Sequence, residues 1–90
     1  MLYMVYEKFK SVGAKDVYQR SKERGRMLPE GLHYVSSWVD VEFTKCFQLM
    51  ETEDSTLFTV WTDQWKDIVE FEIFPVRTSA EAMAIIAPTL

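Results

Sequence analysis

The chain holds a single histidine and a single cysteine, so any acid-base or nucleophilic chemistry depends on what can stand beside them. His33 follows the stretch Arg24-Gly25-Arg26-Met27-Leu28-Pro29-Glu30-Gly31, which carries two guanidinium groups and a Pro-Glu-Gly turn. An imidazole acts as a general base only when a neighbour orients it and sets its proton affinity. Glu51 is the candidate. If strand 33–41 pairs with strand 45–52 so that Trp38 lies opposite Gln48, Glu51 falls opposite Val35. It is then a diagonal neighbour of His33 on the helix-facing side, where a carboxylate would favour the imidazolium. Arg24 and Glu30 could join this cluster. The plainer reading is a strand-end histidine hydrogen-bonded to the acidic end of the next strand. On that reading 24–40 is first a connector, in which Gly25 and Pro29 end a helix and Gly31 allows the reversal.

Cys46 lacks a base. In the same register His33 sits about seven residues from the position opposite Cys46, roughly 23 Å at about 3.3 Å per residue. No Cys-His dyad can then form within a subunit, and Cys46 is expected to be structural and unreactive. One Cys and one His also give no internal disulfide and no zinc spacing, so neither a metal nor a cofactor is expected. Phosphate-binding glycine loops, the nucleophile elbow and Cys-x-x-Cys pairs are all absent from the sequence.

Trp61 and Trp65 stand one helical turn apart and most simply fill a core. They acquire a second meaning from Ser21 and Gly25, which leave the facing half of the first helix without bulk. Either that helix approaches the sheet closely, which is the expected outcome, or a space remains that an apolar ligand could occupy.

The elements that must position these residues follow from periodicity. Residues 2–9, LYMVYEKF, alternate as a strand that ends before Ser11-Val12-Gly13. From Ala14 the spacing of Val17, Tyr18, Ser21, Gly25 and Leu28 predicts a helix ending before Pro29. HYVSSWVDV and KCFQLMET read as an antiparallel pair joined around Glu42 to Lys45. A helix capped by Asp54 follows, with Leu57, Phe58, Trp61, Trp65 and Ile68 on one face; then come the strand VEFEIFPV and a short helix opened by the capping box Thr78 to Glu81. The order β-α-β-β-α-β plus a terminal helix predicts one α+β domain over 1–90. Its plan is ferredoxin-like, a four-stranded antiparallel sheet with both helices on one face. Met4, Tyr6, Val35, Val39, Phe47, Leu49, Val69, Phe71 and Ile73 are expected beneath the helices. Tyr3, Val5, Glu7, Tyr34, Ser36, Trp38, Cys46, Gln48, Met50, Glu70 and Glu72 are expected on the bare face, which suits a subunit interface.

With 48% hydrophobic residues, a chain this small has more apolar surface than it can easily cover alone, which points to a homodimer. A net charge of −4 argues against nucleic acid, because such binding rests on a basic field. Lys15, Arg20, Lys22, Arg24 and Arg26 alternate with Asp16 and Glu23, as on an ordinary solvated helix face, with an anion site at Arg24 and Arg26 as the alternative. No apolar run is long enough to span a membrane and no basic leader precedes Glu7 and Lys8, so a cytoplasmic location is expected.

The stretches RGRMLPEGLHYVSSWVD, CFQLMETED and WKDIVEFEIFPVRTSAEA resemble domain of unknown function 3303, a group of small bacterial proteins of the dimeric α/β-barrel superfamily, over nearly the whole chain. The resemblance implies a ferredoxin-like fold and dimerisation but no particular activity. The leading expectation is a homodimer that binds a small, partly apolar molecule in a helix-sheet cleft lined by His33, Glu51, Trp61 and Trp65. The alternatives are a cofactor-independent monooxygenase-like or isomerase-like enzyme, with His33 as base and Arg24 stabilising an enolate, and a purely structural module with a filled core.

Overall fold

The computed structural model describes residues 1–10 and 13–90; Ser11 and Val12, where the first strand was expected to break, lie outside the described residues. Four strands, β1 (Leu2–Phe9), β2 (His33–Val39), β3 (Lys45–Glu51) and β4 (Val69–Val76), alternate with α1 (Ala14–Arg24) and α2 (Leu57–Thr62). A third helix, α3 (Ser79–Ile86), and a short 3-10 turn at Ala87–Thr89 follow. The sheet order is β2-β3-β1-β4 with every neighbour antiparallel, which is the expected ferredoxin-like arrangement.

Helix α1 stops earlier than its apolar spacing predicts. Gly25 takes a left-handed φ of 67° and donates its N–H to the Ser21 carbonyl, and Met27 also has a positive φ of 60°. These two reversals end the helix at Arg24, before Pro29 can do so, and Leu28 packs on the core from the connector instead. Gly31, at φ 94°, completes the reversal; a Cβ there would stand 3.0 Å from Leu57 Cδ1. Asp54, expected to cap α2, lies two residues before its N-cap Thr56, which makes no side-chain cap hydrogen bond. Asp54 Oδ1 instead accepts from the backbone N–H of Thr56 at 3.0 Å and from its hydroxyl at 2.6 Å, holding the turn that leads into the helix.

The expected side of the sheet is inverted for β1 and β3. Val5, Glu7 and Phe9 of β1 and Cys46, Gln48 and Met50 of β3 are buried, and the core they form includes Phe58, Trp61, Trp65 and Ile68. Met4, Tyr6, Phe47 and Leu49 therefore face away from the helices. On β4 the expectation holds, because Val69 is buried and Phe71 and Ile73 pack against the core. Strand β2 contributes to both sides through a bulge. Tyr34 pairs with Met50, but the next pairing is Ser36 with Leu49, which skips Val35. Beyond it Trp38 pairs with Phe47, not with Gln48 as expected, and Ser37 and Val39 turn toward the helices alongside Gln48 and Cys46.

The polar clusters that hold the connections are local. Asp40 Oδ1 accepts from the backbone N–H groups of Thr44 and Lys45 at 2.7 and 2.9 Å, closing the β2-β3 loop. Arg20 of α1 binds Asp67 with two hydrogen bonds of 2.8 and 2.7 Å and also donates to the Gln64 carbonyl, which ties α1 to the chain beyond α2. Helix α3 has its expected capping box at Thr78 and Glu81 but buries none of its residues. Met83, Ile85 and Ile86 are all more than half exposed.

Candidate functional site

Between α1, α2 and the sheet lies a partly open cavity of about 110 Å³. Close approach of α1 was expected; a space remains instead, and Ser21 lines it. Phe9, Val17, Val39, Trp61 and Trp65 supply its apolar walls, while Tyr18 of α1 and Arg26 of the connector contribute polar groups that are partly exposed. The two tryptophans are only 2% and 5% exposed. Each donates its indole N–H to the Arg26 carbonyl at 3.0 Å, so neither ring leaves a buried donor unpaired.

A chain of polar side chains runs under this cavity. Glu7 sits on the central strand β1 opposite Cys46 of β3 and Phe71 of β4 and is 5% exposed. Its Oε2 accepts from Gln48 Nε2, and Gln48 Oε1 in turn accepts from Arg26 Nε at 3.3 Å. Arginine can only donate, so the Gln48 carbonyl must face Arg26, which leaves its amide N–H for Glu7. The Arg26 guanidinium also lies 3.7 Å from the centre of the Tyr34 ring, a cation-π stack that fixes its plane.

Burial dominates the proton affinities here. It raises the Glu7 pKa above the usual carboxylate value, against the opposing pull of hydrogen bonds from Gln48 and Cys46 and of the Arg26 charge. The Cys46 thiol is pushed up to about 12, first by burial and then by the neighbouring Glu7 charge. Tyr18 is raised, again by burial first and then by Cys46 and Glu7. The arrangement is a carboxyl group in a mostly apolar cavity with a cation at its mouth, able to accept, hold and return a proton.

Over residues 1–90 the chain matches the family described as Domain of unknown function (DUF3303). The chain belongs to this family. No curated protein and no solved structure matches it.

Of the side chains singled out in the sequence, the structure of this DUF3303 protein brings Trp61 and Trp65 into the cavity and leaves His33, Glu51 and Arg24 outside it. His33 and Glu51 do meet, as direct partners in the β2-β3 ladder, but on the opposite face from buried Met50. The expectation that they face the helices is corrected by the pairing of β2 with β3. Glu51 accepts from the Met1 ammonium at 3.1 Å, and that bond is the main reason its pKa is lowered, with His33 the smallest contributor. Arg24 is exposed at the end of α1. Cys46 and His33 stand at opposite ends of the β2-β3 ladder. Among the described residues no group of three or more His, Cys, Asp or Glu side chains could hold a metal ion, and no helix is long and apolar enough to cross a membrane.

Glu7 and Gln48 are the residues that sequence reasoning placed wrongly; Arg26, read as part of a solvated helix face with an anion site as the alternative, is exposed but lies on the connector beyond α1. The signal was present: Glu7 and Gln48 interrupt apolar strands at positions that share one face. Grouping them was correct, and the side on which the helices lie was not.

Proposed function

We propose that this DUF3303 protein is a cytosolic homodimer that binds a small, partly apolar molecule in the helix-sheet cavity of each subunit. The observation that carries this reading is the cavity itself, walled by Trp61 and Trp65 and bearing Glu7 and Gln48 on its floor. Apolar walls with a few fixed polar groups are the usual constitution of a small-molecule site. A closed cavity of about 150 Å³ accepts benzene; this one is smaller, about 110 Å³, but open on one side, so it takes a single small ring whose edge reaches the mouth. The reading with His33 as base and Arg24 as anion partner lacks geometric support, because neither residue lines the cavity.

Dimerisation is supported by the uncovered side of the sheet. Leu2, Met4, Tyr6, Phe47, Leu49, Trp38 and Phe74 make that side more apolar than the sequence suggested. Trp38 is 56% exposed, and Tyr6 and Phe47 stack edge-to-face with centroids 5.4 Å apart. A contiguous aromatic and aliphatic surface of this kind fits the core of an isologous interface.

Binding is tested by titrating phenol and cyclohexanone while following tryptophan emission. Saturable changes are expected in the wild type and loss of them in Ser21→Leu, which fills the cavity from α1. Equal titration curves for the two proteins would refute the site.

A further inference from the structure

We infer that the cavity catalyses proton transfer at a carbon next to a carbonyl group, with Glu7 as the base and Arg26 as the partner of the enolate oxygen. This rests on the binding reading above and deepens it. Removing a proton from such a carbon requires a base shielded from water and a positive donor for the charge that develops on oxygen. Both line the same cavity. Glu7 is 5% exposed and is held through Gln48, whose other end is fixed by Arg26. Arg26 uses its Nε for that bond and stacks on Tyr34. Among the described residues its two terminal nitrogens have no hydrogen-bond partner, which leaves them as donors at the cavity mouth. The burial that raises the proton affinity of Glu7 also makes its carboxylate a stronger base than one in water.

The step balances without an added reactant. The Glu7 carboxylate forms an O–H bond as the substrate C–H bond breaks, and the C–H electron pair moves through the new C=C bond onto the carbonyl oxygen, where Arg26 donates to it. Glu7 then returns its proton. Return to the same carbon gives exchange with solvent hydrogen, once the carboxyl proton has exchanged; return to the far end of an extended enolate moves a double bond. The apolar walls, the buried carboxyl group and the open side of the cavity set the substrate class as a small uncharged cyclic ketone or lactone, a single ring with its carbonyl oxygen toward Arg26 at the mouth. A carboxylated substrate is disfavoured beside Glu7.

The experiment incubates wild type, Glu7→Gln and Arg26→Gln with cyclohexanone in deuterium oxide and follows loss of the α-proton signal by NMR. Conversion of 3-cyclohexen-1-one to its conjugated isomer is followed by ultraviolet absorbance in parallel. Circular dichroism and cyclohexanone titration by tryptophan emission are recorded for each protein. Wild type is expected to exceed the buffer rate, and Glu7→Gln to lose about 10²-fold or more of that excess while still binding the ketone. Arg26→Gln is expected to lower kcat with little change in the binding midpoint, so the inference is testable even if Glu7→Gln fails to fold. Saturable binding with exchange no faster than buffer, or equal rates in wild type and a folded Glu7→Gln, overturns catalysis and leaves the binding reading intact. Absence of saturable binding of both cyclohexanone and phenol overturns both.

Discussion

Trp61 and Trp65 donate to one and the same oxygen, the Arg26 carbonyl, each at 3.0 Å. Helix α2 ends at Thr62, short of the expected apolar face through Trp65 and Ile68, and the turn that follows, with the Trp65 N–H on the Thr62 carbonyl at 2.9 Å, brings the second indole to the same acceptor. The pair pins the connector to α2 and thereby fixes where the Arg26 side chain leaves the backbone.

Replacing either tryptophan by phenylalanine should therefore cost more than a surface substitution. Each removes one hydrogen bond, about 0.5–1.5 kcal/mol net, and part of a buried ring. Urea denaturation of Trp61→Phe and Trp65→Phe is expected to show losses of roughly 1–3 kcal/mol each, with the double variant departing from additivity because the two share an acceptor. Losses within error of zero would mean that the connector is held elsewhere.

The uncovered sheet face gives a second expectation. Leu49→Arg places a charge amid Met4, Phe47 and Trp38 without touching the buried side, and light scattering should then report a single chain mass where the wild type gives two. Removing residues 78–90 should weaken association as well, because α3 leaves Met83, Ile85 and Ile86 more than half exposed among the described residues. A wild-type monomer at micromolar concentration contradicts both.

Cys46 should resist modification. It is 8% exposed, and burial together with the Glu7 charge holds its thiol at a pKa of about 12, so almost none is thiolate at neutral pH. A colourimetric thiol reagent is expected to label it only at the rate of unfolding; rapid stoichiometric labelling of native protein would count against the buried placement.

Two carboxyl groups should make stability respond to pH in opposite senses. The Glu7 pKa is raised above 4.5, so its contribution is fully present below that value and is lost as pH rises through the folded pKa. Glu7→Gln should gain thermal stability relative to wild type as pH increases above that range. The Arg20 guanidinium lowers Asp67 from 3.8 to about 2, so its contribution is present above 3.8 and is lost as pH falls through about 2. The Tm gap between wild type and Asp67→Asn should then shrink in acid. Parallel melting curves at every pH would remove both assignments.

The strand and helix order was legible in the sequence because alternation and capping residues are local signals. Leu2–Phe9, Val69–Val76 and the Thr78 capping box fall where the pattern placed them. The side of the sheet was not legible, since both faces of β1 and β3 are apolar: Met4 and Tyr6 compete with Val5 and Phe9, and Phe47 and Leu49 with Cys46 and Met50. Alternation then fixes which residues travel together and leaves the choice of face to the helices. The inverted face of β3 carried Glu51 to the wrong surface along with Phe47 and Leu49, and the bulge at Val35 added an offset that no period-two pattern contains, which did the same for His33. The left-handed backbone at Met27 was equally hidden, because a methionine gives no hint of positive φ.

The interior position of β1 bears on how the protein is made. On the ribosome β1 emerges first, yet its ladder partners come later: β3 follows the whole of α1 and β2, and the pairing of Leu2 with Val76 waits for almost the entire described chain. Until then both edges of an apolar strand are open to other chains. The β2-β3 hairpin, with its loop tied by Asp40, is the one strand pair whose contacts are close in sequence. It can form early and offer β1 an edge from its own chain. Changes that weaken this loop should appear as lower yield of soluble protein during synthesis before they appear in the melting temperature of the finished molecule.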